Sequence, residues 1–247
     1  MRRVFIDGLL ADEIKISGTD GHHIMHVLRA KIGHKLIVVD ASQRIAEAEI
    51  IAFANGEITL KCLKQVDANT EAPIEVVLAQ CLPKADKMDF IAQKAVELGV
   101  SSIVPVISTN CVVKYDAAKQ IARRAKWQKI ADEAAKQCGR TIQPVVEPIV
   151  RLKEVLENLD PATAAFICYE GQADVPIRDF LRHNTARRFF VLIGPEGGFT
   201  PEEVELCLKN GVRTVTMGPR ILRSETASLA AVSLVMYENG DLGGRSL

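Results

Sequence analysis

The sequence predicts an α/β protein built on a mostly parallel sheet, preceded by a small β-barrel. Three observations carry this. From Ile74 onward, apolar strand-like runs alternate with helix-like segments, the pattern of a parallel sheet covered on both faces. Before Asp67 the runs are short and β-like, two of them joined through Asn55-Gly56, a hairpin signal. Between them Asp67 to Pro73 is polar and ends in proline, as a linker would. The division is therefore 1–70 and 73–247.

In the first segment Lys35 to Asp40, Ile45 to Phe53 and Ile58 to Val66 read as strands, and His22 to Ala30 as a helix. In the second, Ile74 to Leu82 is an apolar strand, and Met88, Ile91, Ala92 and Ala95 mark one face of a helix. Further strands are expected at Ser102 to Ile107, Thr163 to Tyr169, Arg188 to Ile193 and Val212 to Met217, with a helix from Asp116 to Gly139. Thr200-Pro201-Glu202-Glu203 has the form of a helix start, with Thr200 as cap, proline in the first turn and an acid three residues on. Gly211 closes that helix, and Thr226 to Tyr237 forms the last one.

Composition narrows the class. With 247 residues and 48% hydrophobic content, the chain supports one or two buried cores. Its apolar runs fall far short of the ~20 residues that span a bilayer, and Met1-Arg2-Arg3 is not followed by a signal-like apolar core, so a cytoplasmic protein with no membrane partner is expected. Six cysteines lack any C-x-x-C spacing, which implies neither a disulfide framework nor a zinc site. His22 and His26 have the i, i+4 spacing of a helical metal pair, but no further ligands stand nearby. Packing or RNA contact explains them better, and no metal is expected.

The 31 basic and 31 acidic residues cancel, which excludes nucleic-acid binding through the overall field. Any such contact is local. Lys119, Arg123, Arg124, Lys126, Lys129, Lys136 and Arg140 form the densest basic run, read either as a solvated helix face or as an RNA patch.

Chemistry is expected between Arg188 and Ala227, where two glycine-bearing turns each follow an apolar run and precede a helix. The first is Gly194-Pro195-Glu196-Gly197-Gly198-Phe199, the second Met217-Gly218-Pro219-Arg220-Ile221-Leu222-Arg223-Ser224-Glu225. In open α/β sheets ligands bind where strands end, so the two turns suggest one site. The first lacks the lysine and hydroxyl of a phosphate loop, and it lies too late in the chain for a dinucleotide fingerprint. Glu196 suits a neutral or cationic ligand.

These residues resemble the paired signature of the small-subunit (16S) ribosomal RNA uridine-N3 methyltransferases of the SPOUT superfamily. Lys84-x-Asp86-Lys87-Met88-Asp89, Gln93-Lys94-x-x-Glu97-Leu98-Gly99-Val100, Glu133-Ala134-Ala135-x-Gln137-Cys138-Gly139-Arg140, Met1-x-Arg3-x-Phe5, and His22-His23 with Val27-Leu28-Arg29 are similar as well, in order along the whole chain. One departure stands out: the acidic-arginine pair usual before the segment matching Val112-Val113-Lys114 is replaced by Thr109-Asn110-Cys111.

The resemblance implies a carboxy-terminal trefoil knot over roughly Ile167 to Leu234, a PUA-like amino-terminal barrel, a homodimer, and transfer of a methyl group from S-adenosylmethionine to a uridine of 16S ribosomal RNA in the small ribosomal subunit. It places the adenosyl group against Leu192, Ile193 and Gly194, Met217-Gly218 and Ile221-Leu222, with Pro195, Gly197 and Gly198 completing the turn and Tyr169 and Glu170 closing the pocket. Glu196 would bond the cofactor, balance its sulfonium, or hold its own turn's amides. Arg223 would stabilise the uridine anion. Glu225 would orient or accept a proton, or else cap its helix. RNA contacts would come from Arg2, Arg3, Arg29, Lys84, Arg123 and Arg124, and RNA or dimer contacts from Arg140 and Arg220.

Overall fold

A computed structural model of the chain describes residues 2–27, 29–68, 70–171 and 173–244. Met1 and Leu28 of the motifs above lie outside them. The described residues form two compact units, 1–71 with 135–142, and 72–134 with 143–247. The segment 135–142, whose sequence continues a helix of the second unit, is thus grouped with the first.

In the first unit, strands β1 (Arg2–Phe5), β2 (Glu13–Ile16), β3 (Lys35–Val39), β4 (Ile45–Ala54) and β5 (Glu57–Val66) form a mixed sheet of order β1-β3-β4-β5-β2. Asn55 and Gly56 take φ of 50° and 76°, the left-handed pair that a two-residue hairpin needs. Alternate residues of the five strands, including Val4, Ile14, Ile16, Val38, Ile50 and Leu60, meet in one core. The two end strands of the order share that core, so the sheet curls around it. The helical stretch differs from the expected His22 to Ala30: a turn of helix α1 (Gly18–His22) runs into a π-turn (His23–Val27). Gly18, at φ +64°, sets its start earlier than the apolar residues suggest.

The 135–142 segment is held by side chains of the same unit. Arg3 donates to the Gly139 carbonyl and to the Arg140 carbonyl at 2.7 Å. Arg140 pairs with Glu71 at 2.6 Å, and Glu71 also accepts the Thr141 amide at 2.7 Å. Although burial opposes ionisation of Glu71, the Arg140 guanidinium and these amides hold it below the usual carboxylate range.

The second unit contains β6 (Glu75–Cys81), α2 (Lys87–Glu97), β7 (Ser102–Ile107), α3 (Ala117–Cys138, its last turn grouped with the first unit), β8 (Val145–Val146), β9 (Val150–Arg151), α4 (Leu152–Glu157), β10 (Ala164–Cys168), β11 (Val175–Pro176), α5 (Ile177–Arg182), β12 (Arg188–Ile193), α6 (Pro201–Lys209), β13 (Arg213–Thr216) and α7 (Ser224–Glu238). All pairings in its sheet are parallel, in the order β11-β13-β10-β12-β6-β7-β8, with β9 also on β7. Central strands are apolar on both faces, as helices on both sides require: Val76 to Cys81 and Phe189 to Ile193 are all buried. Thr200 and Glu203 form the reciprocal capping box of α6, and Gly211 follows its end at φ +79°. Helix α7 begins two residues before the expected Thr226 and packs on α2, β12 and β6. No helix among the described residues is long and apolar enough to cross a membrane.

Candidate functional site

Strands β13, β10 and β12 are adjacent and parallel, so their carboxy-terminal ends open together at one edge of the sheet. The loops leaving them line a cavity of about 670 Å³, a size suited to a nucleoside-sized ligand. Gly194, Pro195, Glu196 and Gly198 of the first turn form one wall. Met217, Gly218, Arg220, Ile221, Leu222 and Arg223 of the second turn form another, and Tyr169 with Glu170 a third. The two turns therefore line one cavity.

Two expected lining residues are absent from it. Leu192 is fully buried while its neighbour Ile193 lines the cavity, because successive strand residues face opposite sides of the sheet. Gly197 faces away: a side chain there would meet Asn110 Cβ at 3.0 Å. The sequence reading missed Phe199, Thr216, Ser224 and Ala227, which line the cavity as well. Phe199 packs so closely on Gly194 that an added Cβ would sit 3.0 Å from its ring. Cys168 is a further lining residue, and burial pushes its thiol up to about 12, so it stays protonated and makes a poor nucleophile.

The first turn is fastened from outside by the segment after β7. Asn110 Nδ2 donates to the carbonyls of Gly197 at 2.9 Å and Gly198 at 3.1 Å. Thr109 donates its amide at 2.7 Å and its hydroxyl at 2.9 Å to Glu203 Oε1 at the start of α6. The two residues that depart from the usual pair thus act as a brace for the glycine turn.

Glu196 and Glu225 share a cation that the sequence reading did not assign. Lys87 Nζ, on the first turn of α2, lies 2.9 Å from Glu196 Oε1 and 3.0 Å from Glu225 Oε2. The Lys84 amide also donates to both Glu196 oxygens, at 3.2 and 3.3 Å. Partial burial works against ionisation of both acids, yet hydrogen bonds with Lys87 and backbone amides hold each below the usual carboxylate range. Hydrogen bonds with the two acids in turn raise the Lys87 ammonium. Lys87 joins the two turns electrostatically. Its signal was the position of the Lys84-x-Asp86-Lys87 motif, at the carboxy-terminal end of a central parallel strand.

Glu225 does not line the cavity, and Lys87 and backbone amides hold its carboxyl below the usual range, so orientation fits it better than proton abstraction. Arg223 is the extended cap of α7, exposed and in the cavity wall. Arg220 is also an exposed wall residue.

The other expected RNA contacts separate by geometry. Arg29, Lys84 and Arg124 are exposed, and Arg2 and Arg123 half-buried. Arg123 lies 3.8 Å from Asp86, and Arg124 Nε donates to the Val146 carbonyl at 2.9 Å. Arg140 is buried against Glu71, which withdraws its charge from a ligand, while half-buried Arg3 donates to two carbonyls. The His22 and His26 rings lie with centroids 4.4 Å apart and planes tilted by 39°.

The RNA methyltransferase domain family matches residues 70–236, and the RNA methyltransferase PUA domain family matches residues 16–61. The chain belongs to the RNA methyltransferase family. Among relatives, it is 32% identical to Ribosomal RNA small subunit methyltransferase E of Bacillus subtilis over 99% of both chains. It is also 32% identical to the protein of that name from Buchnera aphidicola, over 93% of this chain and 92% of the other. Among solved structures, Ribosomal RNA small subunit methyltransferase E from Neisseria gonorrhoeae bound to S-adenosyl methionine superposes with a TM-score of 0.89 at 31% identity, covering 97% of this chain and 98% of that one. The residues that line the cavity, from Cys168 to Ala227, all fall within the span of the RNA methyltransferase match.

Proposed function

We propose that the protein methylates the N3 position of a specific uridine in small-subunit (16S) ribosomal RNA, using S-adenosylmethionine bound in the cavity between the two glycine turns. The observation that carries this is the cavity itself, apolar at Ile193, Met217, Ile221 and Leu222 and walled by glycine backbone, in a chain whose relatives have small-subunit ribosomal RNA methyltransferase names. Flat apolar walls suit an adenine ring, and the exposed backbone of the turns suits its polar edges. The bound cofactor supplies an electrophilic methyl group.

The chain's own residues then supply placement and electrostatics. Uridine N3 carries a proton at neutral pH, and loss of that proton to solvent water leaves negative charge on the ring. Arg223, a cation in the cavity wall, stabilises that charge. Glu225 and Glu196, tied through Lys87, hold the second turn against the first so that Arg223 keeps its position. Glu196 also brings a negative charge to the wall facing a sulfonium. Arg220 at the cavity and Arg29 of the PUA-like unit contact RNA phosphates, fixing register without reading sequence.

The division into a PUA-like unit, 1–70, that positions RNA and a methyltransferase unit, 73–247, that acts on it belongs to the same reading. So do a trefoil knot, supported by the return of α7 from the second turn across β12 and β6, and a cytoplasmic homodimer. Leu234 and Tyr237, 39% and 64% exposed on α7, supply apolar surface for a partner copy. Light scattering should give twice the chain mass.

Methyl mapping of 16S ribosomal RNA from a strain lacking the gene tests the function. One N3-methyluridine should be absent and should return with the wild-type gene but not with Gly194→Val. Loss of a ribose or guanine methyl group instead would overturn the proposed chemistry.

A further inference from the structure

The cavity works only if its two turns keep a fixed separation, and a buried hydrogen-bond chain runs from the central sheet to both. Gln80 lies on β6 in register with Ile193 and Pro105 and is fully buried. Its Nε2 has two hydrogens, and both are used. One goes to the Cys81 carbonyl at 2.8 Å and one to Ser224 Oγ at 3.0 Å. Its Oε1 faces Ser228 Oγ, whose one hydrogen is shared between that oxygen and the Ser224 carbonyl at 2.8 Å. Ser224 has a single hydroxyl hydrogen, which it donates to the Gly194 carbonyl at 2.8 Å.

Donor counting makes this order one-way: Gln80 N–H to Ser224, then Ser224 O–H to Gly194. Turning the amide over would set its oxygen against the Cys81 carbonyl, two buried acceptors facing each other. Gly194 opens the first turn, and Ser224 is the first residue of α7, at the end of the second. Both line the cavity, whereas Gln80 does not. Stability alone does not require such a chain, since an apolar side chain of similar size could occupy a strand position among buried apolar neighbours. A glycine has no side chain to hold its own peptide plane, so the bond from Ser224 is what sets the Gly194 carbonyl.

We propose that Gln80 is a positioning residue for the reaction: through Ser224 it fixes the Gly194 peptide and locks the two turns at the spacing the cofactor needs. This rests on reading the cavity as the S-adenosylmethionine site. Arg223 and Glu225 flank Ser224, so the same relay sets the place of Arg223 in the wall and of Glu225 behind it.

Four variants test it: Gln80→Leu, Ser224→Ala, Ser224→Thr and, as a control for lost stability, Val232→Ala, a fully buried residue of α7 outside the chain. Calorimetric Kd for S-adenosylmethionine, kcat and KM on small ribosomal subunits, and Tm are measured together with hydrogen exchange. Gln80→Leu and Ser224→Ala should weaken cofactor binding by about tenfold and leave KM for the subunit unchanged. Ser224→Thr keeps the hydroxyl and should bind within about threefold of wild type. Segment 193–199 should exchange faster in Gln80→Leu and Ser224→Ala, but not in Val232→Ala. The proposal is overturned if Val232→Ala weakens binding as much at an equal loss of Tm, if Ser224→Thr is as weak as Ser224→Ala, or if exchange in 193–199 is unchanged. A wild-type protein that shows the exchange pattern yet binds no S-adenosylmethionine would overturn the cofactor reading and leave the relay standing.

Discussion

Replacing Lys87 with methionine keeps most of the side chain's bulk and removes the one cation shared by the two turns. At 2.9 and 3.0 Å, each of its ion pairs has a Coulomb energy of about 6 kcal/mol at an effective dielectric of about 20. The side chains of Lys87, Glu196 and Glu225 are 28%, 26% and 19% exposed, so screening and desolvation leave roughly 1 kcal/mol per pair. The expected loss is about 2 kcal/mol, or about 4–8 °C in Tm for a chain of this size. The pH dependence is the sharper signature. Glu196 and Glu225 are lowered in the folded protein, so their contribution is present above their ordinary values of about 4.3 and fades as pH falls through the folded ones. Lys87 is raised, so its contribution is complete below about 10.4 and fades as pH rises through its folded value. Denaturant unfolding of wild type and Lys87→Met should therefore differ by about 2 kcal/mol at pH 7, and the gap should narrow in acid, as pH falls from about 4.3 and the acids take up protons. An equal gap at both pH values would refute the electrostatic account of this cluster.

Asn110→Ala removes two donors from the Gly197 and Gly198 carbonyls, each worth about 1 kcal/mol, and should weaken S-adenosylmethionine binding by about tenfold. Unchanged calorimetric affinity would show that the brace does not reach the site. Arg223→Ala should lower RNA affinity less than tenfold, about 1.4 kcal/mol, while the turnover rate falls much further. Equal losses in filter binding and single-turnover rate would make Arg223 an ordinary contact.

Elements whose cause is local could be read directly. Asn55-Gly56 forms its hairpin because both residues tolerate positive φ, and Thr200 with Glu203 caps α6 because the partners lie three residues apart. The central strands announced themselves by unbroken apolar runs. What was missed depends on tertiary contact. Strands β8, β9 and β11 have two residues each and exist only through their neighbours. Helix α7 starts before its apolar periodicity because Ser224 is drawn inward by Gln80, a partner 144 residues away. In the site, the glycine turns were legible as motifs, but Lys87 meets Glu196 across 109 residues, and nothing in either motif encodes that meeting. Arg140 shows the converse: it reads as one more charge in a basic run, and only the fold places it against Glu71.

The central claim is methyl transfer to uridine N3 in the small subunit. Purified protein, S-adenosylmethionine labelled in its methyl group and small ribosomal subunits from a strain lacking the gene should together yield label in one nucleoside that co-elutes with N3-methyluridine. Label in any other nucleoside, or none under conditions where calorimetry shows the cofactor bound, would contradict the account.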